Sequence, residues 1–381
     1  MNPAPIVIAH ARRRAWPAML ATAVSVLLAA CSGNRPAPTP VKDVAPKIGV
    51  RQAWSARVGG VQFALGVVAR DGRFVVAGDD GTVLALDAET GLELWRAQAG
   101  APLSAGVGSD GRTHAVVTRA NELVAFDGTR VAWRARLQGS VSTAPLVAGE
   151  RVFVLGVDRS VAAFDAADGH RLWTLQRPGE PLTLASGGVL TAVQNTLVAG
   201  QGPRMAGIDP QAGTLRWETP IAAPRGANEV ERLADLVGPP TRIGNTLCAR
   251  AFQAAVGCVD SARGALLWSR NTGGVNAVGG DEELIFGADG SDRIVAWKTA
   301  SGETTWSSER LLHRQLSAPT VLGPAVVFGD LEGRVHFLDR KDGQPLLMLS
   351  TDGSPVVGKP ALAGTTLLVV TRKGGLYAFR Q

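Results

Sequence analysis

Leu84-Ala85-Leu86-Asp87-Ala88-Glu89-Thr90-Gly91-Leu92-Glu93-Leu94-Trp95 is the stretch whose reading decides the fold. An apolar strand ends at Asp87, whose carboxylate can accept hydrogen bonds from the backbone two residues on. Gly91, four residues later, tolerates a positive φ, and a second strand then carries Trp95 inward. The same unit recurs along the chain. It reads Val124-Ala-Phe-Asp127…Trp133, Ala162-Ala-Phe-Asp165…Gly169…Trp173 and Ala206-Gly-Ile-Asp209…Gly213…Trp217. It continues as Gly257-Cys-Val-Asp260…Gly264…Trp268 and Val295-Ala-Trp-Lys298…Gly302…Trp306. A seventh copy, His336-Phe-Leu-Asp339…Gly343…Leu347, has Leu at the Trp place, and an eighth begins at Leu376-Tyr-Ala-Phe379.

Upstream of these units a Pro is followed four places later by Gly, as Pro145/Gly149, Pro240/Gly244, Pro319/Gly323 and Pro360/Gly364. An apolar run follows each Gly, for example Val152-Phe-Val-Leu155 and Val326-Val-Phe328. Two hairpins per repeat make four short antiparallel strands, which is one propeller blade. Most steps between successive Trp places are 38–44 residues, while Trp217 to Trp268 is 51 and holds an insertion over residues 220–240. Gln52-Ala-Trp54-Ser-Ala-Arg57 is a Trp-bearing strand with no repeat before it. Its expected partner is the strand at Leu376–Arg380. The reading is therefore all-β: an eight-bladed β-propeller over residues 50–381, closed by pairing of its N- and C-terminal strands. The recurring Trps are core wedges between blades, and Trp297, at a strand position where other repeats have Phe, Leu or Ile, is core as well.

The composition agrees. Gly 46, 5% aromatic residues and 45% hydrophobic residues in 381 suit a turn-rich β protein. The formal net charge is +6, and Arg12, Arg13 and Arg14 supply three of it, so the chain without them carries about +3. That balance, with Lys and Arg scattered, excludes a nucleic-acid footprint.

Those three arginines precede an apolar stretch over residues 17–30, about fourteen residues and shorter than a membrane-spanning helix requires. It ends in Leu28-Ala29-Ala30-Cys31, which resembles the bacterial lipobox. The resemblance implies a signal peptide over residues 1–30, cleavage, and lipidation of Cys31. Acyl chains then anchor the protein, each buried methylene contributing about 0.8 kcal/mol. Ser32, with no Asp after the Cys, resembles the sorting signal for the outer membrane. Residues 31–49 contain Pro36, Pro38, Pro40 and Pro46 and read as a flexible tether.

Candidate chemistry is sparse. Cys248 and Cys258, ten residues apart, are expected to face one another across a hairpin and to form a disulfide in an oxidising compartment. No CxxC, GxSxG, HExxH or P-loop pattern is present, and His114, His170, His313 and His336 show no metal-ligand spacing. Asp79-Asp80-Gly81 reads as a hairpin turn. The segment 228–235, Asn-Glu-Val-Glu-Arg-Leu-Ala-Asp, lies in the long insertion, and a long loop on a rigid ring is where function usually sits.

The Trp-and-Gly repeat resembles that of pyrroloquinoline-quinone alcohol dehydrogenases, but the adjacent cysteines those enzymes use are absent. A lipobox, a Pro/Ala tether and eight such blades together resemble the BamB family of the β-barrel assembly (BAM) machinery. The more specific pieces are Glu231-Arg232-Leu233-Ala234-Asp235, Leu311-Leu312-His313-Arg314, Val327-Phe-Gly-Asp330-Leu-Glu-Gly333 and Lys373-Gly-Gly-Leu-Tyr377. The resemblance implies a non-enzymatic scaffold without cofactor or metal. It would be lipid-anchored at the periplasmic side of the outer membrane, monomeric within its complex, binding BamA and aiding the assembly of nascent outer-membrane proteins. It also implies partner contacts on two neighbouring loops. One family pattern, Leu-x-Leu-Arg, falls on Leu182, Thr183, Leu184 and Ala185, so its Arg is missing. The other, Arg-Leu-Ser-Asp-x-Asp, falls on Arg232, Leu233, Ala234, Asp235, Leu236 and Val237, keeping only the first Asp. Glu231 and Arg232 are expected to contribute in their place. The alternative is a periplasmic quinoprotein-like dehydrogenase or a ligand-binding propeller that uses the central channel.

Overall fold

A computed structural model describes residues 36–381, apart from 64, 177–181 and 225. Among these residues the regular structure is strand alone: eight four-stranded antiparallel sheets arranged as a ring. Blades 1 to 7 take residues 68–98, 103–136, 146–175, 190–220, 236–270, 279–308 and 320–350, each running from inner to outer strand in chain order. The eighth joins the two ends of the chain. Strand β1 (Arg51–Arg57) is its outer strand and pairs with β32 (Gly375–Arg380), Arg51 facing Arg380, Trp54 facing Ala378 and Arg57 facing Gly375. The eight-bladed ring and its closure are as the repeat count predicts. Closure pairs the outward edge of β32, which would otherwise stay open.

The Asp–Gly–Trp unit works as a fastener between blades. Asp87, Asp165, Asp209, Asp260 and Asp339 each accept from the backbone N–H two residues on, at 2.8–3.1 Å. The glycine that follows sits at positive φ, for example +74° at Gly91 and +68° at Gly302. Its missing side chain has a second use. A Cβ on Gly302 would lie 2.5 Å from the Trp268 ring of the preceding blade, so the indole covers the turn. The indole N–H then donates to the carbonyl of the residue that follows the capping position (Asp, or Lys298 in blade 6). Trp54 reaches Ala88, Trp133 Ala166, Trp173 Pro210, Trp268 Thr299 and Trp306 Arg340, at 2.7–3.1 Å. One side chain thus fills the seam between two blades and satisfies a backbone group that the seam would otherwise bury unpaired. Trp297, only 1% exposed, is core as expected.

Three places depart from this pattern: Trp217 covers Gly264 while the Thr219 hydroxyl donates to that glycine's carbonyl, and blades 2 and 8 differ for local reasons. Blade 2 has a shorter turn, Asp127-Gly128-Thr129-Arg130, and Trp95 instead packs its ring 4.5 Å from that of His114. Burial pushes the His114 imidazole below its ordinary pKa. At the seventh unit the next blade's corresponding turn would lie between β32 and β1, which are not consecutive in the chain. No turn carbonyl stands there for an indole, and Leu347 packs in a cluster with Val50 and Phe379.

On the opposite face, buried arginines tie the connections between blades. The guanidinium of Arg250, with no exposed surface, donates to the carbonyls of Thr272, Gly273, Asn276 and Ala288 and so joins blade 5 to blade 6. Burial lowers its pKa to about 10. Arg314, 2% exposed, pairs with Asp330 at 2.8 Å and with Glu332. Burial alone would raise the Asp330 pKa, but hydrogen bonds with His336, the Arg334 N–H and Arg314 outweigh it and hold the carboxyl at about 2. Arg314 also donates to the Thr39 carbonyl at 2.9 Å, while Thr39 N–H donates to Leu312. Lys47 N–H donates to Leu346, and Val41, Ile48 and Val50 enter the seams around blade 7. The second half of the proline-rich segment is therefore a strap fastened to the ring, which proline content alone does not reveal.

Candidate functional site

The face that carries the blade-to-blade connections brings the two predicted loops together. The connection from blade 3 to blade 4 supplies Leu182 and Leu184, and the insertion between blades 4 and 5 supplies residues 226–235. Asp235 joins them. One carboxylate oxygen accepts the Leu184 N–H at 2.7 Å, and the other lies 3.3 Å from the Arg159 guanidinium. Arg159 sits in the hairpin turn of blade 3 at φ +64° and also donates to the Leu182 carbonyl at 3.5 Å. Both side chains are largely shielded, Arg159 at 13% and Asp235 at 15% exposure. A shielded ion pair with a backbone hydrogen bond holds geometry far better than an exposed one. Asp235 further accepts through its carbonyl from Phe252 N–H in blade 5.

The two leucines play different parts. Leu182 is 36% exposed and stands outward. Leu184 is half-buried and packs with Phe252 against Val237, Ala277 and Ala318. In the insertion, Asn228 Oδ1 accepts the Glu231 N–H, and Glu231 reaches back to the Ala227 N–H and the Asn228 amide. This reciprocal capping makes one tight turn of an otherwise irregular loop. It puts Val230 at the tip, 71% exposed. Arg232 donates to the Gly226 carbonyl at 3.4 Å, and Leu233 is half-buried. Glu231 and Arg232 thus shape the loop, and the face offers Leu182 and Val230 as apolar points among charged groups. The hollow beneath the joined loops is about 40 Å³, room for a water or two, so this is a contact surface and not a ligand pocket.

The remaining predicted residues fall elsewhere. Cys31 lies outside the described residues. Cys248 and Cys258 are opposed in register in blade 5 and joined by a disulfide, both fully buried. Asp80 accepts from Thr82 N–H and Asp79 from Gln62 N–H, so that pair serves its turn. Asp165, Asp168 and His170 place possible ligand atoms within 4.8 Å of one another, but hydrogen bonds inside their exposed turn account for the arrangement. The sequence reading missed Arg159, the residue that locks the site. It stands in an unremarkable Asp-Arg-Ser turn, and no local signal marks a partner 76 residues away.

Comparisons with known proteins agree with this geometry. The family description "Outer membrane protein assembly factor BamB" matches residues 41–105 and 79–308. The outer membrane protein assembly factor BamB of Burkholderia pseudomallei is 38% identical over 97% of this chain and 98% of its own. That of Bordetella pertussis is 36% identical over 96% and 97%. The crystal structure of BamB from Moraxella catarrhalis superposes with a TM-score of 0.79 at 21% identity, covering 87% of this chain and all of that one. A quinohemoprotein alcohol dehydrogenase from Comamonas testosteroni has the same fold at a lower TM-score of 0.63 and 16% identity, over 87% of this chain and 76% of its own. With the matched model spanning most of the chain and relatives above 30% identity along nearly all of it, the chain belongs to the BamB family of outer membrane protein assembly factors.

Proposed function

We propose that this propeller is a non-enzymatic scaffold of the BAM complex that binds the periplasmic domains of BamA and so aids assembly and insertion of outer-membrane β-barrel proteins. The observation that carries the proposal is the Asp235 junction. It fixes two connection loops from different blades as one rigid surface with Leu182 at its edge. A pre-formed surface with an apolar anchor and surrounding charge binds a partner without an ordering cost, and the charges set register. Glu231, Arg232 and Leu233 support the second loop. The lipobox resemblance supports attachment through Cys31 to the periplasmic leaflet of the outer membrane, with the proline-rich residues that precede Thr39 as the tether.

The test is a pull-down from detergent-solubilised outer membranes with the wild-type chain and a Leu182→Ala/Leu184→Ala/Asp235→Ala variant that melts as a folded ring. Recovery of BamA with the wild type and at least ten-fold less with the variant supports both function and site. Recovery with neither defeats the scaffold reading. Equal recovery with both keeps the partner and moves the contact to another face.

A further inference from the structure

The inner strands and the connections leading into them surround a central cavity of about 580 Å³, open to solvent and within the range of small-molecule sites. None of the residues that tie the two loops together, Arg159, Leu182, Leu184 or Asp235, lines it. Its wall is mainly apolar, with Phe63, Leu65, Val275 and Leu362 among the larger side chains. Of the lining residues Lys359 alone carries an ionisable group. It springs from the inner side of blade 8 and reaches across the channel. Its ammonium donates to Thr241 Oγ1 of blade 5 at 3.1 Å and to the carbonyl of Val278, beside blade 6, at 3.2 Å. Thr241 in turn donates to the same carbonyl at 2.7 Å, so the acceptors are held in place. An ammonium has three protons, and among the described residues two have acceptors. Among the described residues no carboxylate lines the cavity to balance the charge.

We propose that the central cavity is a binding site for a carboxylate with an apolar body, the carboxylate meeting the third proton of Lys359 and the body lying on the apolar wall. A partly buried cation without a counter-charge favours an incoming anion, because much of its hydration is already lost and the new hydrogen bond is charge-assisted. Enclosure also lowers the lysine pKa to about 8, so the free protein loses the binding proton as the pH rises through that value. A ligand carboxylate stays ionised over the same range, and among the described residues no other titratable group lines the cavity.

Octanoate and its uncharged counterpart 1-octanol are the probes, titrated calorimetrically into the folded chain at pH 7 and pH 9.5. The expected result is octanoate binding about ten-fold or more tighter than octanol at pH 7, the worth of a charge-assisted hydrogen bond. That preference falls at pH 9.5 while octanol binding stays constant. Lys359→Met, of similar length without charge, keeps octanol binding and loses the preference. Equal binding of the two probes by the wild type overturns the proposal, and so does octanoate binding that survives Lys359→Met. Failure of the wild type to bind octanoate at millimolar concentration overturns it too. The wild-type pH series decides the question if Lys359→Met does not fold.

Discussion

The two faces of the ring are built by opposite strategies. On the face of the Asp-to-Trp turns one solution is repeated: a capped strand end, a glycine at positive φ, and an indole from the neighbouring blade donating to the turn carbonyl. On the face of the blade-to-blade connections each tie is different. Arg159 and Asp235 join two loops, Arg250 gathers four carbonyls, and Arg314 holds Asp330, Glu332 and the strap together. The repeated face uses apolar burial, indole hydrogen bonds and Asp caps that stand in solvent. The other relies on shielded charge, whose loss leaves an unpaired ion and whose geometry is directional. The difference separates a face that keeps the ring closed from a face free to become specific.

Substitutions can break that comparison at several strengths. Trp268→Ala removes a 5% exposed indole and its hydrogen bond to Thr299, and should cost about 3–5 kcal/mol by denaturant unfolding. A cost below about 1 kcal/mol would show that the seam between blades 5 and 6 does not depend on its fastener. Arg314→Met leaves Asp330 buried with His336 and backbone N–H groups but no guanidinium, and about 3 kcal/mol is the expected loss. The same change frees the Thr39 carbonyl, so trypsin should cut at Lys42 or Lys47 while the ring is still folded. Strap cleavage no faster than in the wild type would show that the seams, and not Arg314, hold it. Leu347→Trp is the smallest and sharpest case. With no turn carbonyl beyond it, the indole should add no stability and overpacking should cost about 1 kcal/mol. A clear gain in melting temperature would mean that the chain ends at blade 8 substitute for a turn.

The same contrast explains what could be read in the sequence. The Trp–Gly seams were legible because six of the eight use the same residue types at nearly the same spacing. Even the exception, Leu347, falls where the copy lacks its partner turn. The shielded ties left no such trace. Asp235 and Leu184 could be located through a family pattern, yet Arg159 lies 76 residues from Asp235 in a turn like any other. Leu311-Leu312-His313-Arg314 and the segment around Asp330 stood out separately. Nothing in either says that they form one buried ion pair, because pairing is a property of the ring and not of the strand. Lys359 in Gly-Lys-Pro carries no sign that it faces a channel, since a lone lysine ordinarily reads as surface.

The pairing of Arg51 with Arg380 gives synthesis a direction and a deadline. Every blade but one can form from a continuous piece of chain, so seven can assemble in the order in which they emerge. The eighth requires a residue from one end to find a residue 329 positions away, and until then the arc gapes with two raw strand edges. A polypeptide cut short by a few residues, or stalled in transit, therefore stays recognisably unfinished and open to proteases and to its own neighbours. Completion is signalled by the molecule itself, in the pairing of its last inner edge with β1.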